Sequence, residues 1–411
     1  MSPQQCRFCG ATLRHTFLDL GVSPLSNSYL SEDDLDRMEP FYPLHARVCA
    51  ECFLVQLGEY ESPEHIFQDY AYFSSYSASW VEHARRYCDE MARRLGLGAA
   101  SHVVEVASND GYLLRNFVAR GVPVLGVEPA RNVAAAAVEA GVPTVSEFFG
   151  RRLARELAAA GKSADLLLGN NVLAHVPDLN DFVAGLKILL KPRGVVTLEF
   201  PHLLRLIEGG QFDTIYHEHF SYFSFHTAER VLAAHGLAVF DVDELPTHGG
   251  SLRVHARHAE DASRETGGRV ADLRAREEAA GITRLETYLS FEDKAREVKG
   301  ALLEFLVRAR REDKRVAGYG APAKGNTLLN YCGVRTDFLD YTVDASPHKQ
   351  GRYLPGTRVP VYAPERLRET RPDYVLILPW NLRDEITAQA AYVREWGGRF
   401  VVPVPATEVL P

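Results

Sequence analysis

Lysine is scarce in this chain. Of 46 basic residues only eight are lysine and 38 are arginine, against 54 acidic residues, which leaves a formal net charge of -8. No long basic run occurs, and a surface that follows a phosphate backbone needs one, so no nucleic-acid partner is expected. Long apolar runs are missing too. None approaches the roughly 18 to 20 residues of a membrane span, so no membrane partner is expected either. The N-terminus, MSPQQCRFCG, lacks the basic-then-apolar pattern of a secretion signal, and the chain reads as cytoplasmic. Six cysteines are present, and in a cytosolic chain their paired pattern points to metal rather than disulfides. What remains is 46% hydrophobic and 24% charged, the composition of a soluble globular protein with two to three domains.

Four of the six cysteines fall in two CxxC knuckles, Cys6/Cys9 in CRFCG and Cys49/Cys52 in CAECF. Each knuckle can aim two sulfurs at one ion, and two knuckles complete the tetrahedral shell that suits Zn2+. A redox CxxC would be a single motif at a helix start. Four thiolates close the shell, so this zinc is structural and supplies folding energy to a segment with little core of its own. Cys88 and Cys332 are left over as packed thiols.

From about residue 80, strand-like and helical segments alternate, which predicts a mainly parallel, doubly wound sheet with ligands beyond the carboxyl ends of its strands. The informative residues cluster at those ends. Glu105 closes SHVVEV and is followed by Ala107, Asn109, Asp110 and Gly111. Glu128 closes PVLGVE, where a carboxylate can accept from ribose hydroxyls. Asn170 and Asn171 close ADLLLGNN. With Gly111 alone, the loop does not match GxGxxG. It looks like the S-adenosylmethionine loop of class I methyltransferases, whose cofactor lacks a pyrophosphate and tolerates acids.

Further on, KRVAGYGAPAKGNTLLN reads as strand, turn and helix start, with Gly318, Gly320 and Ala323 in GxGxxA register and Asp344 24 residues after Gly320. Taken bare this is a dinucleotide fingerprint, and the same turn could equally receive the diphosphate of a nucleotide sugar. Lys324 and Lys349 stand near it. The Walker pattern does not fit. A charged stretch over roughly 268–312 leads into this segment as a helix.

The order of motifs (paired CxxC knuckles, EVASNDGYLL, NNVLAHVPDLNDFV, EFPHLL, FDTIYHEHFSYFS, HGGSLRV, GYGAPAKGNTLLN) resembles the nucleotide-sugar C-methyltransferases of deoxysugar biosynthesis over nearly the whole chain. The resemblance implies an α/β protein with a small N-terminal four-cysteine zinc domain (1–70), a central class I Rossmann-like methyltransferase domain (71–245) and a C-terminal Rossmann-like domain for the sugar nucleotide (246–411). It implies S-adenosylmethionine as cofactor and a dTDP-linked 4-keto-deoxysugar as substrate, methylated beside the ketone at C3, with C5 as the alternative. A monomer is expected. Ala107 departs from the glycine that related loops often carry there; alanine fits if its φ is negative.

Carbon methylation needs an enolate, and YHEHFSYFS at 216–224 supplies candidates. His219 suits the general base, Glu218 a sugar contact or an imidazole orienter, and Tyr216 a donor to the ketone oxygen. The resemblance assigns the same three residues to the sugar pocket and adds His175 of NNVLAHV. It also brings Tyr72 and Tyr76 of DYAYFSSYSASW near the substrate. The HGGS turn adds Ser251 as a possible substrate contact.

Overall fold

The computed structural model describes residues 4–62, 74–76 and 78–410, which fold around three sheets. Alternation in HTFLDLGVS and YPLHARV makes β1 (His15–Ser23) and β2 (Tyr42–Val48) an antiparallel pair that continues into β3 (Val55–Leu57). A register shift between Thr16 and Leu18 lets the adjacent Phe17 and Leu18 both be buried. Phe17, Leu44 and Val48 share one core with Phe291, Leu302 and Val316 from the far end of the chain. A two-residue strand from YHEHFSYFS, β9 (Ser221–Tyr222), adds to the open edge of β3.

The central sheet takes its buried parallel strands from valine- and leucine-rich runs, as a sheet covered on both faces requires. These are β4 (Val103–Val106), β5 (Val124–Val127), β6 (Thr144–Val145), β7 (Ala164–Asn170) and β8 (Leu190–Pro201). The hairpin of β10 (Leu237–Leu245) and β11 (Ser251–His258) completes the order β10-β11-β8-β7-β4-β5-β6, with β11 antiparallel to β8. The hairpin spans the division expected after residue 245, so residues 251–258 lie in the central sheet. The chain turns back between β4 and β7, and a doubly wound sheet opens its ligand crevice at such a point.

The third sheet runs β14-β13-β12-β15-β16-β17, from β12 (Val316–Tyr319), β13 (Thr342–Val343), β14 (Val361–Tyr362), β15 (Tyr374–Ile377), β16 (Arg399–Val402) and β17 (Glu408–Leu410). All but β17 are parallel, and β12 and β15 flank its own reversal. The segment expected as one helix over 268–312 is three helices, Gly268–Ala279, Leu285–Leu289 and Phe291–Arg311. Gly281 lies between the first two with φ +82, a conformation that breaks a right-handed helix.

Candidate active site

The carboxyl ends of the second and third sheets face one cavity of about 650 Å³. Its walls come from every part of the chain: Asn27 from the N-terminal segment, Ala107, Asn109, Glu128, Asn170, Asn171 and His175 from the central sheet, Tyr216, Glu218 and His219 from YHEH, and Lys324 and Lys349 from the third sheet. Tyr72 lies outside the described residues. Of Tyr76 the backbone is described, in the 3-10 turn Ser74–Tyr76.

The loop after β4 is held by its own acids. Glu128 accepts from the backbone N–H groups of Asn109 at 3.0 Å and Ala130 at 2.9 Å. Asn109 and Asp110 in turn accept from the backbone of Ser74 and Ser75, at 2.8 and 3.2 Å. Burial raises the pKa of Glu128, and burial together with the charges of Glu128 and Asp110 raises that of Glu105 much further. Glu105 Oε2, Asp110 Oδ1 and both amide atoms of Asn170 are buried with no hydrogen-bond partner among the described residues. The Glu128 carboxyl group in the wall, backed by the buried acids Glu105 and Asp110, fits a cationic sulfonium and ammonium ligand bearing ribose hydroxyls.

Ala107 corrects an expectation. Its φ is +57, in the left-handed region, where a side chain costs roughly 1–2 kcal/mol. Asn109, Asn171 and His248 share that conformation and also line the cavity, making four of the eight non-glycine positive-φ residues described. Strain of this kind persists where surrounding structure enforces it, and functional sites are where it collects. Gly111, with φ +75, stands behind the wall: a Cβ there would lie 2.9 Å from Val142. Glu105 and Asp110 also stand in this second layer and not in the wall itself.

YHEH forms a tight turn and not a strand. His219 Nδ1 lies 3.1 Å from the carbonyl of Thr214, which can only accept, so Nδ1 carries the proton. Nε2 therefore presents its lone pair, and the Tyr216 hydroxyl donates to it at 2.8 Å. Burial, with His175, His248 and Lys324 adding their charges, drives the His219 pKa well below 6.5 and keeps the ring neutral. The ring of His175 meets that of His219 edge-on at 4.7 Å, and burial lowers its pKa to about 4. Glu218 accepts from Asn27 Nδ2 at 2.6 Å. His217 instead faces away, within 3.2 Å of the Pro43 carbonyl.

At the third sheet, Gly320 (φ +88) turns the chain where a Cβ would lie 2.5 Å from Pro379. Asp344 fastens the turn by accepting from Ala321 N at 2.7 Å and Ser346 N at 2.8 Å. The helix Ala323–Cys332 then starts with Pro322, Ala323 and Lys324 in the wall. Lys324 donates to Asn381 at 2.8 Å and sits 4.6 Å over the Trp380 ring, whose Nε1 donates to buried Asp213 at 2.6 Å. Lys349 donates to Ala321 O at 2.9 Å. Three glycine and serine candidates do not reach the cavity. Gly318 is inside β12 against Thr342, Gly320 shapes the turn from behind, and the Ser251 hydroxyl is spent on Thr247 O at 3.0 Å. His248 of the same HGGS turn lines the wall instead.

Sequence reasoning missed a buried charge cluster behind that wall. Glu199 is fully buried on β8 and binds Arg253 at 2.6 Å, Thr247 at 3.1 Å and His83 at 3.0 Å. His83 stacks on Trp80, which lines the cavity beside His248. The signal was an acid inside the apolar run GVVTLEFP. The Phe148–Phe149 pair after β6 was also passed over, and both rings line the cavity.

The four cysteine sulfurs lie within 4.8 Å of one another, with Cys6–Cys52 and Cys9–Cys49 both at 3.5 Å. A tetrahedral ion with Zn–S bonds of about 2.3 Å sets sulfurs about 3.8 Å apart, so these residues fit zinc.

Comparison with known proteins decides the family. The chain is 37% identical over 406 residues to C-methyltransferase NovU from Streptomyces niveus, covering 99% of this chain and 96% of that protein. It belongs to the C-methyltransferase family. Three family models match in succession: a zinc binding domain at residues 6–67, a methyltransferase domain at 79–242 and a C-methyltransferase C-terminal domain at 246–405. A ubiquinone biosynthesis O-methyltransferase of Bartonella tribocorum is 28% identical over 95 residues, 23% of this chain and 38% of that protein. Among solved structures, the CcbJ methyltransferase from Streptomyces caelestis matches 43% of this chain and 89% of that chain at 15% identity and a TM-score of 0.34. The enzyme is thus an S-adenosylmethionine-dependent C-methyltransferase with a zinc-binding N-terminal domain. No helix among the described residues is long and apolar enough to cross a membrane.

Proposed function

We propose that the enzyme removes a proton beside the ketone of a dTDP-linked 4-keto-deoxysugar, at C3, and methylates that carbon, producing a branched deoxysugar. The observation that carries this reading is the meeting in one cavity of acid-rich strand ends, a neutral imidazole and two lysines. S-adenosylmethionine, when bound, supplies an electrophilic methyl group, and Ala107, Asn109, Glu128, Asn170 and Asn171 in the wall are the residues assigned to holding it, with Glu105, Asp110 and Gly111 supporting the loop from behind.

His219 is the base. Its Nε2 lone pair accepts from the Tyr216 hydroxyl, so the two act as a pair: the phenol can pass its proton to Nε2 while taking one from the sugar, or can turn to donate to the ketone oxygen. The Thr214 carbonyl holds the ring in the tautomer that the task needs. His175, packed against His219, shares the pocket, and Glu218 is assigned to a sugar hydroxyl. Tyr76 and Tyr72 are assigned to the approach of the sugar. A neutral imidazole is a weak base for an α-proton, so donors to the developing oxyanion must carry much of the barrier. The start of the helix Ala323–Cys332 with Lys324 and Lys349 is assigned to the diphosphate, where a helix N-terminus and cations favour an anion. The working unit in this reading is a monomer.

The test is hydrogen exchange in D2O with a dTDP-4-keto-6-deoxy sugar, followed by NMR. Enzyme-dependent loss of the C3 proton supports the reading. Loss at C5 moves the methylation to that carbon, and no exchange in several such sugars, with cofactor binding confirmed, refutes it.

A further inference from the structure

We propose that Arg7, inside the first zinc knuckle, is a positioning residue that sets where His175 and His219 stand. The inference rests on the reading that those histidines serve the reaction. Arg7 lies between Cys6 and Cys9, yet its side chain leaves the zinc module. One guanidinium nitrogen, Nη1, donates to the carbonyl of Pro177 at 2.9 Å, two residues after His175. The other, Nη2, donates to the carbonyl of Leu57 at 2.6 Å, and the group sits 5.4 Å over the ring of Phe220, which directly follows His219.

Leu57 closes the loop, because its N–H donates to the Phe220 carbonyl at 3.0 Å. One planar fork therefore touches both histidine-bearing segments, which stand far apart in sequence and meet at His219 and His175. The grip is returned from the other side. Asn180 donates to the carbonyls of Arg7 at 3.1 Å and Phe8 at 2.9 Å.

The same fork is coupled to the metal ligands. Gln56 accepts from Arg7 N at 2.9 Å and donates to Cys6 Sγ at 3.2 Å. Gln56 also pairs with Ser221 in the β3–β9 ladder, immediately beyond YHEHF. The second knuckle is docked on the following helix, Phe225–Ala234, through Thr227 Oγ1 to the Cys52 carbonyl at 3.1 Å. A knuckle has a defined shape when its sulfurs share an ion. The zinc module thus serves as the template on which the two halves of the reaction centre are aligned, and Arg7 transmits that alignment.

The experiment uses the full-length zinc enzyme and its Arg7→Met, Arg7→Lys and Asn180→Ser variants. Zinc per chain, S-adenosylmethionine Kd, kcat with a dTDP-4-keto-6-deoxy sugar and NMR of 13C-labelled histidine rings are measured. His175→Asn and His219→Gln assign the two ring signals. The expected result is full zinc content, cofactor Kd within about twofold and displaced His175 and His219 signals. With these, kcat should fall roughly ten- to hundredfold in Arg7→Met, the scale of a small misplacement. Arg7→Lys should recover part of the rate, since an ammonium reaches one carbonyl and cannot fork two.

Unmoved histidine signals with zinc bound, or moved signals with unchanged kcat, overturn the proposal. If Arg7→Met loses zinc or does not fold, Asn180→Ser decides alone, because it leaves the knuckle's own residues intact; an unchanged kcat and spectrum there overturn it. Wild-type turnover in His219→Gln would instead defeat the proposed chemistry, and the positioning target with it.

Discussion

Replacing His219 by glutamine separates geometry from basicity at this site. The carboxamide can donate to the Thr214 carbonyl and accept from the Tyr216 hydroxyl, the two contacts the imidazole makes at 3.1 and 2.8 Å. The ring is only 8% exposed, and glutamine is similar enough in size to leave the turn folded. What is lost is a group that can take a proton. An α-keto proton is roughly a dozen pK units less acidic than imidazolium, which is about 16 kcal/mol, and burial lowers the His219 pKa and widens that gap. Most of the gap must be closed by stabilising the oxyanion. The base itself contributes typically about 10²- to 10⁴-fold, equal to about 2.7–5.4 kcal/mol. His219→Gln should therefore lower kcat by that factor, abolish exchange of the ring proton in D2O and leave S-adenosylmethionine affinity near wild type, because the acids assigned to the cofactor belong to other segments. Turnover and exchange within threefold of wild type in a folded, zinc-bound variant would refute the assignment of the base.

Three further outcomes follow from the geometry. Burial raises the pKa of Asp213 from 3.8 to about 6, so the native state keeps its proton while the unfolded chain releases it. Stability from this group is present at low pH and is lost as pH rises from about 4 to about 6, by up to about 3 kcal/mol. The difference in urea midpoint between Asp213→Asn and wild type should change across that window and be flat above it; a constant difference would sink the argument. Glu199→Ala leaves the Arg253 guanidinium, 5% exposed, without its carboxylate. The expected loss is about 3–5 kcal/mol in chemical denaturation, largely restored by adding Arg253→Met. A loss below 1 kcal/mol would mean that the charge is neutralised elsewhere. Cys6→Ser opens the four-sulfur shell and should reduce zinc per chain and solubility, with elemental analysis as the check; a full zinc content would count against the site.

Local signals were legible where one short segment carries the whole reason. The knuckles are such a case, since CxxC spacing alone aims two sulfurs at one point. So are the acids and amides at the ends of β4, β5 and β7, because a valine- or leucine-rich run that stops at Glu128 or Asn170 places that residue at the mouth of a parallel sheet. Ala107 was misread because its positive φ runs against alanine's own preference, which is all the sequence displays. Ser251 was misread because a hydroxyl looks available in sequence, and only the fold shows Thr247 O already accepting it. The cluster of Glu199, Arg253 and His83 joins residues 54 and 116 positions from the glutamate, and no local spacing announces it.

The amino-acid sequence by itself thus determined an α/β protein with a four-cysteine zinc site and a cofactor loop of the methyltransferase class, and it offered YHEH as a candidate for chemistry. These follow from periodicity, spacing and side-chain type, which act over a few residues. Tertiary structure alone decided that β9 would bind the zinc sheet and that His175 would meet His219. It also brought the helix at Lys324 to the mouth of the methyltransferase sheet. Those contacts join segments scattered over some 300 residues, and they form because Phe17, Leu44 and Val48 lack a core until Phe291, Leu302 and Val316 supply one. Burial of that shared apolar surface, which no single segment encodes, draws the separate parts into one site.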